Sequence, residues 1–467
     1  MTTADRAGAV MFDETQRRGA RWILTEALEA SPADYVLVLH DEETGPAADC
    51  ITDVGARELH FRVNSLLIPS AEQALLSADE NTPIPDDLRA RLDDANLIIV
   101  LQRRAPEVNG FRMNVLQYCV TDPNRRAASM AGITHEHLHR CHGNLNEISQ
   151  RCGLVASMMV QSRAARLLTR SVTGEELELL IDLGDHKPIL STGRIPPGTW
   201  GNVPSGETFI VPNVYAARGA AAINGSILRY PMPPGEELVL HFDRGKVLPV
   251  PIPQERVARY AEPLLYDEDG AEAYPNCTVL TELGVGTNEE MDEFTGLPVF
   301  DEKILGTVHL GLGRSTQFGG NIPCRVHNDF VIRDPTLLLN DVTVTQNGEF
   351  VLKPSDVYPN WRQLNVEGVD WNRPFEVGKT PFHRRSVDGV PLTYVSWLSP
   401  RSKVHYLTRV GDRETCQIAS AVVDALKLHV KPLNLKELSE VIRPAISADM
   451  IAPTLRLLER FGVVKQV

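Results

Sequence analysis

The sequence predicts an α/β domain over residues 1–168, an irregular α+β domain over 169–404 and a small winged-helix-like module over 405–467. Three observations predict it. Two unbroken apolar runs, residues 35–39 and 97–101, lie in the first third with helical patterns between them. Glycine and proline then become frequent, with short strand patterns between loops, and the last sixty residues turn helical again.

The 467 residues exceed what one ordinary core organises, so two or three domains are expected. Tyr35-Val-Leu-Val-Leu39 and Leu97-Ile-Ile-Val-Leu101 are continuous apolar strands of the kind buried on both faces, as in a parallel sheet. A helix with Trp22, Ile23 and Ala27 precedes the first, and a further strand is expected near Leu59–Val63. No G-x-G-x-x-G follows the first strand, so no dinucleotide site is predicted.

In the middle segment the strand patterns include Leu177–Leu183, Thr208–Val211 and Leu238–Phe242. Toward the C-terminus, one helix carries Ile418, Val422 and Leu426, and a second Leu435, Leu438 and Ile442. Pro444 stops the second. Ser447 is placed to cap a third with Ile451, Leu455 and Leu458, ended by Gly462. Pro453 is awkward inside that helix and favours a start at Ala452.

The net charge of -14 argues against a general nucleic-acid or anionic-membrane binder, because phosphate binding draws on clustered Lys and Arg. No stretch approaches the ~20 apolar residues of a membrane helix. Met1 to Val10 lacks an apolar core, so no secretory signal is expected there and a cytoplasmic location is. The seven cysteines form no C-x-x-C pair and read as reduced, mostly buried thiols.

The chemistry concentrates between residues 304 and 331. His309 sits inside an apolar strand pattern, Leu305–Leu312, where an imidazole is costly unless paired or ligating. His327 and Asp329 are two apart in a second strand pattern, Cys324–Ile332, so both side chains share one face and can share a metal ion. Gly313 to Gly320 make the loop between them glycine-rich, which lets backbone pass close to a ligand. Upstream, Glu282 in Leu280-Thr-Glu-Leu-Gly and Glu207 at the head of an apolar run each need a partner if buried. Asp301-Glu302-Lys303 precede the His309 strand, read either as a solvated turn or as groups orienting the ligands. His135, His137 and His139 read either as an exposed helix face or as a second metal or substrate site.

The segments NVPSGETFIVP, TELGVGTN, FDEKILGTVHLGLG and HNDF, in that order, resemble the aminopeptidase T family of thermophilic-type metallo-aminopeptidases. They are equally similar to the branch of that superfamily containing 2,5-dihydroxypyridine 5,6-dioxygenase. The resemblance spans about residues 170–340. It implies two divalent ions, zinc, manganese or cobalt, on Glu207, Glu282, His309, His327 and Asp329. Glu282 is then the bridging or base-like carboxylate. It further implies peptide or amide hydrolysis and a homodimer. Thr316 stands where the aminopeptidases carry an oxyanion-binding tyrosine; Arg314 and Gln317 are the nearby substitutes. The dioxygenase branch implies instead one Fe(II) and a small aromatic substrate. That branch resembles a histidine at position 282 and a serine at position 309, whereas this chain has the hydrolase-type Glu and His. The C-terminal module resembles PqqD-type winged helices that hold leader peptides, which implies a peptide partner. Packing appendage and DNA-binding module are its other readings; the arginines there are too sparse for a phosphate track.

Overall fold

The computed structural model describes residues 11–77, 82–103, 108–184, 186–267, 269–357, 370–378, 382–387, 390–398, 405–409, 413–429, 431–442, 446, 448–460 and 463–467. Met1–Val10, Pro444, Ser447 and Gly462 lie outside them.

The apolar runs form a five-stranded parallel sheet. Tyr35–His40 lies between Arg62–Leu67 and Leu97–Gln102, followed outward by Arg126–Ala131 and Thr199–Asn202. Val36, Val38, Leu97 and Ile99 pack on one face with Ala20 and Ala47, and Leu37, Leu39, Ile98 and Val100 pack on the other with Leu88 and Phe111. Helices thus cover both faces, which is why the runs lack polar alternation. The fifth strand comes from beyond residue 168, so this sheet draws on the middle segment.

The second strand begins at Arg62, three residues later than Leu59. The preceding helix continues through a π-type turn, Val54–Glu58, capped by the Leu59 N–H on the Val54 carbonyl, and His60 then takes a left-handed φ of 56°. The apolar Leu59 therefore closes a helix rather than opening a strand.

The middle segment forms an eight-stranded and a seven-stranded sheet, with antiparallel pairing between all their named strands. One core joins them, with Leu167, Leu179 and Leu240 from the first meeting Leu283, Leu310 and Phe330 from the second. Burying each such side chain stabilises by about 1.5–3 kcal/mol.

Toward the C-terminus, helices Arg413–Leu428, Leu435–Ile442 and Ala448–Arg460 bury Val422, Leu438 and Leu455 together. The third starts at Ala448, not Ala452, and keeps Pro453 inside. A proline there removes one helical hydrogen bond, and burial of Ile451, Leu455 and Leu458 outweighs that loss. The final strand, Val464–Gln466, pairs with Phe375–Val377, and Phe375 enters the same core. This unit therefore reaches back across residue 404. No described helix is long and apolar enough to cross a membrane. No disulfide forms among the described residues; six cysteines are buried and Cys324 is half-buried.

Candidate metal centre

Four neighbouring strands of the seven-stranded sheet build the site: Glu207–Ile210, Leu280–Gly286, Val308–Gly313 and His327–Ile332. Their register decides which side chains meet. Gly286 pairs with Glu207, Gly284 with His309, and Gly311 with both Glu282 and Asp329, while Gly313 pairs with His327. Side chains alternate along a strand, so the five ionisable residues and the glycines share one face. The alternate positions, including Leu283, Val285, Leu310 and Phe330, face the core. A continuous glycine-and-ligand face backed by an apolar one explains why the segment read as buried strand yet carried so many polar groups.

Glycines make room for the imidazoles. A Cβ at Gly284 would lie 2.0 Å from His309 Nε2, and one at Gly311 would lie 2.8 Å from His327 Nε2. No side chain fits at either point without displacing a ring.

The five predicted residues converge. His309 Nε2 donates to Glu282 Oε1 at 3.1 Å and lies 3.5 Å from Glu207 Oε2. His327 Nε2 lies 3.2 Å from Glu282 Oε2 and 3.0 Å from Asp329 Oδ1. Glu282 thus stands between the two histidines, one oxygen toward each. Two groups follow, each able to offer three ligand atoms to one cation: Glu207, Glu302 and His309, and Glu282, His327 and Asp329.

Glu302 and Lys303 belong to this cluster. Lys303 is fully buried and donates from Nζ to Glu207 Oε1 and Glu302 Oε1, both at 2.5 Å. Asp301 turns away and accepts from the backbone N–H groups of Thr295 and Gly296, fixing the loop that presents Glu302. Of the two readings of this tripeptide, the solvated turn is excluded by burial of all three residues. A run of three charges before an apolar strand was the available signal.

Four carboxylates crowd here around one ammonium, and their fields govern the histidines. Burial disfavours charge on His309, but the hydrogen bond to Glu282 and the Glu207 carboxylate outweigh it and push its pKa up to about 9. Burial opposes charge on His327 as well; Asp329 and Glu282 raise it well above the ordinary value. Burial pushes Glu302 up to about 8. In this state protons and Lys303 supply the positive charge the carboxylates demand.

The donor set fits a divalent cation. Glu207 Oε2 and Glu282 Oε2 are buried and make no well-aligned hydrogen bond among the described residues, facing only the imidazole Nε2 atoms at 3.5 and 3.2 Å. Orphaned groups of this kind cost about 1–3 kcal/mol each unless something ligates them. His327 donates from Nδ1 to the Arg314 carbonyl at 2.8 Å, which fixes the ring and leaves Nε2 facing the carboxylates. Such backbone anchoring is what metal-binding histidines use.

A cavity of about 200 Å³ opens over the cluster. Glu207, Glu282, Glu302, His327 and Asp329 line one wall, and Arg314 and Gln317 flank it. Thr316, on the 3₁₀ turn Thr316–Phe318, is not among the lining residues, whereas its neighbours Gln317 and Phe318 are. His135, His137 and His139 do not join the cluster. They lie on a 3₁₀ turn, His135–Arg140, so the four-residue spacing of His135 and His139 makes no shared α-helical face. His137 caps Thr134 and packs its ring 5.5 Å from Phe300, while His139 donates from Nδ1 to the Glu136 carbonyl.

Two solved structures resemble the chain. A 2,5-dihydroxypyridine dioxygenase from Pseudomonas putida KT2440 matches with a TM-score of 0.53 and 19% identity, covering 72% of this chain and 97% of that one. AmpT from Thermus thermophilus matches with a TM-score of 0.48 and 14% identity, covering 73% of this chain and 100% of that one. No family model matches the chain, and no curated protein does. The first structure shows a shared fold.

Proposed function

We propose that the chain is a metal-dependent hydrolase of peptide or amide bonds, with two divalent ions, zinc, manganese or cobalt, held by Glu207, Glu282, His309, His327 and Asp329 and joined by Glu302. One observation carries this reading. Glu282 presents one carboxylate oxygen to His309 of the first three-ligand group and the other to His327 of its own group, the arrangement a bridging carboxylate takes. Bound ions of this type polarise a carbonyl and lower the pKa of water toward neutrality. The chain's own part is positional. His327 is held by the Arg314 carbonyl, Glu207 by Lys303, and the cavity seats the substrate over the Glu282 carboxylate. The occupant is a peptide or another small molecule.

A second reading, one Fe(II) on Glu282, His327 and Asp329 in an oxygenase, draws on Lys303. Its ammonium already supplies a cation between Glu207 and Glu302, leaving the other group as a complete three-ligand face.

Metal analysis of the full chain, with aminoacyl amides as substrates, separates the two. The hydrolase reading expects two ions per chain, no iron and amide turnover restored to chelated protein by Zn²⁺, Mn²⁺ or Co²⁺. One iron per chain with oxygen uptake on a hydroxypyridine overturns it.

A further inference from the structure

The cavity has a second wall of opposite charge. It lies at the carboxyl ends of the parallel strands, where Gln102 ends one strand just before Arg103 and Ser129 and Ala131 lie at the end of the next, with Asn109 and Arg112 on helix Asn109–Cys119. Among the described residues, every carboxylate lining the cavity belongs to the Glu282 cluster, and the parallel-sheet wall contributes arginines and neutral groups. Two more arginines, Arg229 and Arg325, are exposed at the rim.

This wall is built in place. Arg112 donates from Nη1 to Ser129 Oγ at 3.2 Å and also to Asn109 Oδ1, which ties its guanidinium to the end of a sheet strand. The Arg103 N–H donates to Asp41 Oδ2 at 2.6 Å. Asp41 follows the Tyr35–His40 strand and Arg103 follows its neighbour Leu97–Gln102, so the bond spans the point where strand order reverses. In open α/β sheets that crevice is where ligands bind.

We infer that the substrate is a compact anion whose carboxylate sits on Arg112 and Arg103 while its reactive end faces the Glu282 cluster. The inference rests on the proposed site being the one that works on substrate. Guanidinium groups match carboxylates in planar, paired hydrogen bonds. A cavity of about 200 Å³ lies below the usual 300–1,000 Å³ of ligand pockets, which selects a small occupant. Charge separation across the cavity fixes its direction: the carboxylate is drawn to one wall and repelled by the other.

Calorimetric titration of the chelated full-length chain tests this without hydrolysis. Glutaramate, with a carboxylate at one end and an amide at the other, is compared with the neutral diamide glutaramide and with inorganic phosphate. Glutaramate should bind at least tenfold more tightly than glutaramide. Arg112→Met should lose tenfold or more of that affinity, and Arg112→Lys should recover part. If Arg112→Met fails to keep the native circular dichroism, Arg103→Met carries the same comparison. Equal binding of glutaramate and glutaramide, or unchanged glutaramate affinity in the arginine variants, overturns the inference. Tighter binding of phosphate overturns the carboxylate assignment. Absent amide turnover with intact glutaramate binding sinks the hydrolase reading alone, so the two failures stay distinct.

Discussion

A Cβ on residue 284 would fall 2.0 Å from Nε2 of His309, so the glycine there is the space in which the imidazole lies. The two residues are cross-strand partners in the antiparallel pair Leu280–Gly286 and Val308–Gly313. Gly284→Ala should therefore displace His309 and cost about 1–3 kcal/mol, the usual penalty of overpacking. Chemical denaturation and metal stoichiometry check it; full metal uptake with unchanged stability would refute the link.

Metal should stabilise the folded chain through the same residues. A cation at a hundred times its Kd adds about 2.7 kcal/mol. Thermal unfolding of chelated and Zn²⁺-supplied protein should differ accordingly, and His327→Ala should remove most of the difference. An increment that survives His327→Ala would place the bound ion elsewhere.

Glu282 contacts both histidines, so its charge matters more than its shape. Glu282→Gln should keep the far-ultraviolet circular dichroism while lowering amide turnover by about 10²–10⁴-fold, the range for a group that handles protons in the transition state. Retained turnover would remove Glu282 from the chemistry.

Lys303 is buried against Glu207 and Glu302. Burial opposes its charge, but those carboxylates raise its pKa. Lys303→Met leaves both acids uncompensated and should cost about 3–5 kcal/mol by denaturant titration. A neutral outcome would mean that the carboxylates take up protons at little cost.

Away from the site, Glu58 joins Arg17 and Arg21 on the first helix. Burial raises its pKa, yet the hydrogen bonds from Arg21 and Arg17 prevail and hold it below the usual value. A lowered folded pKa stabilises above the unfolded value of ~4.3 and is lost as pH falls through the folded one. Glu58→Gln should thus destabilise at pH 7 by about 0.5–1 kcal/mol. The difference from the parent should close in strongly acidic solution. A gap that persists there would assign the effect to packing.

Much of the candidate site was legible because its signals are local. Period two puts His327 and Asp329 on one face, and an imidazole in an apolar strand pattern marks His309, so both statements need only neighbouring residues. The doubly buried runs likewise announce a parallel sheet from composition alone. Glu302 and Lys303 were less distinct, since a charge triplet reads as a turn until the fold buries it. Thr316 occupies a suggestive position in the chain, but its turn presents Gln317 and Phe318 to the cavity instead. The sequence by itself singled out Glu207, Glu282, His309, His327 and Asp329 as side chains able to ligate. Only the tertiary structure decided that Glu282 stands between two histidines and that Arg112 and Arg103 face them across a cavity. Periodicity is a property of adjacent residues, whereas strand register and the meeting of two sheets depend on contacts between residues far apart in the chain.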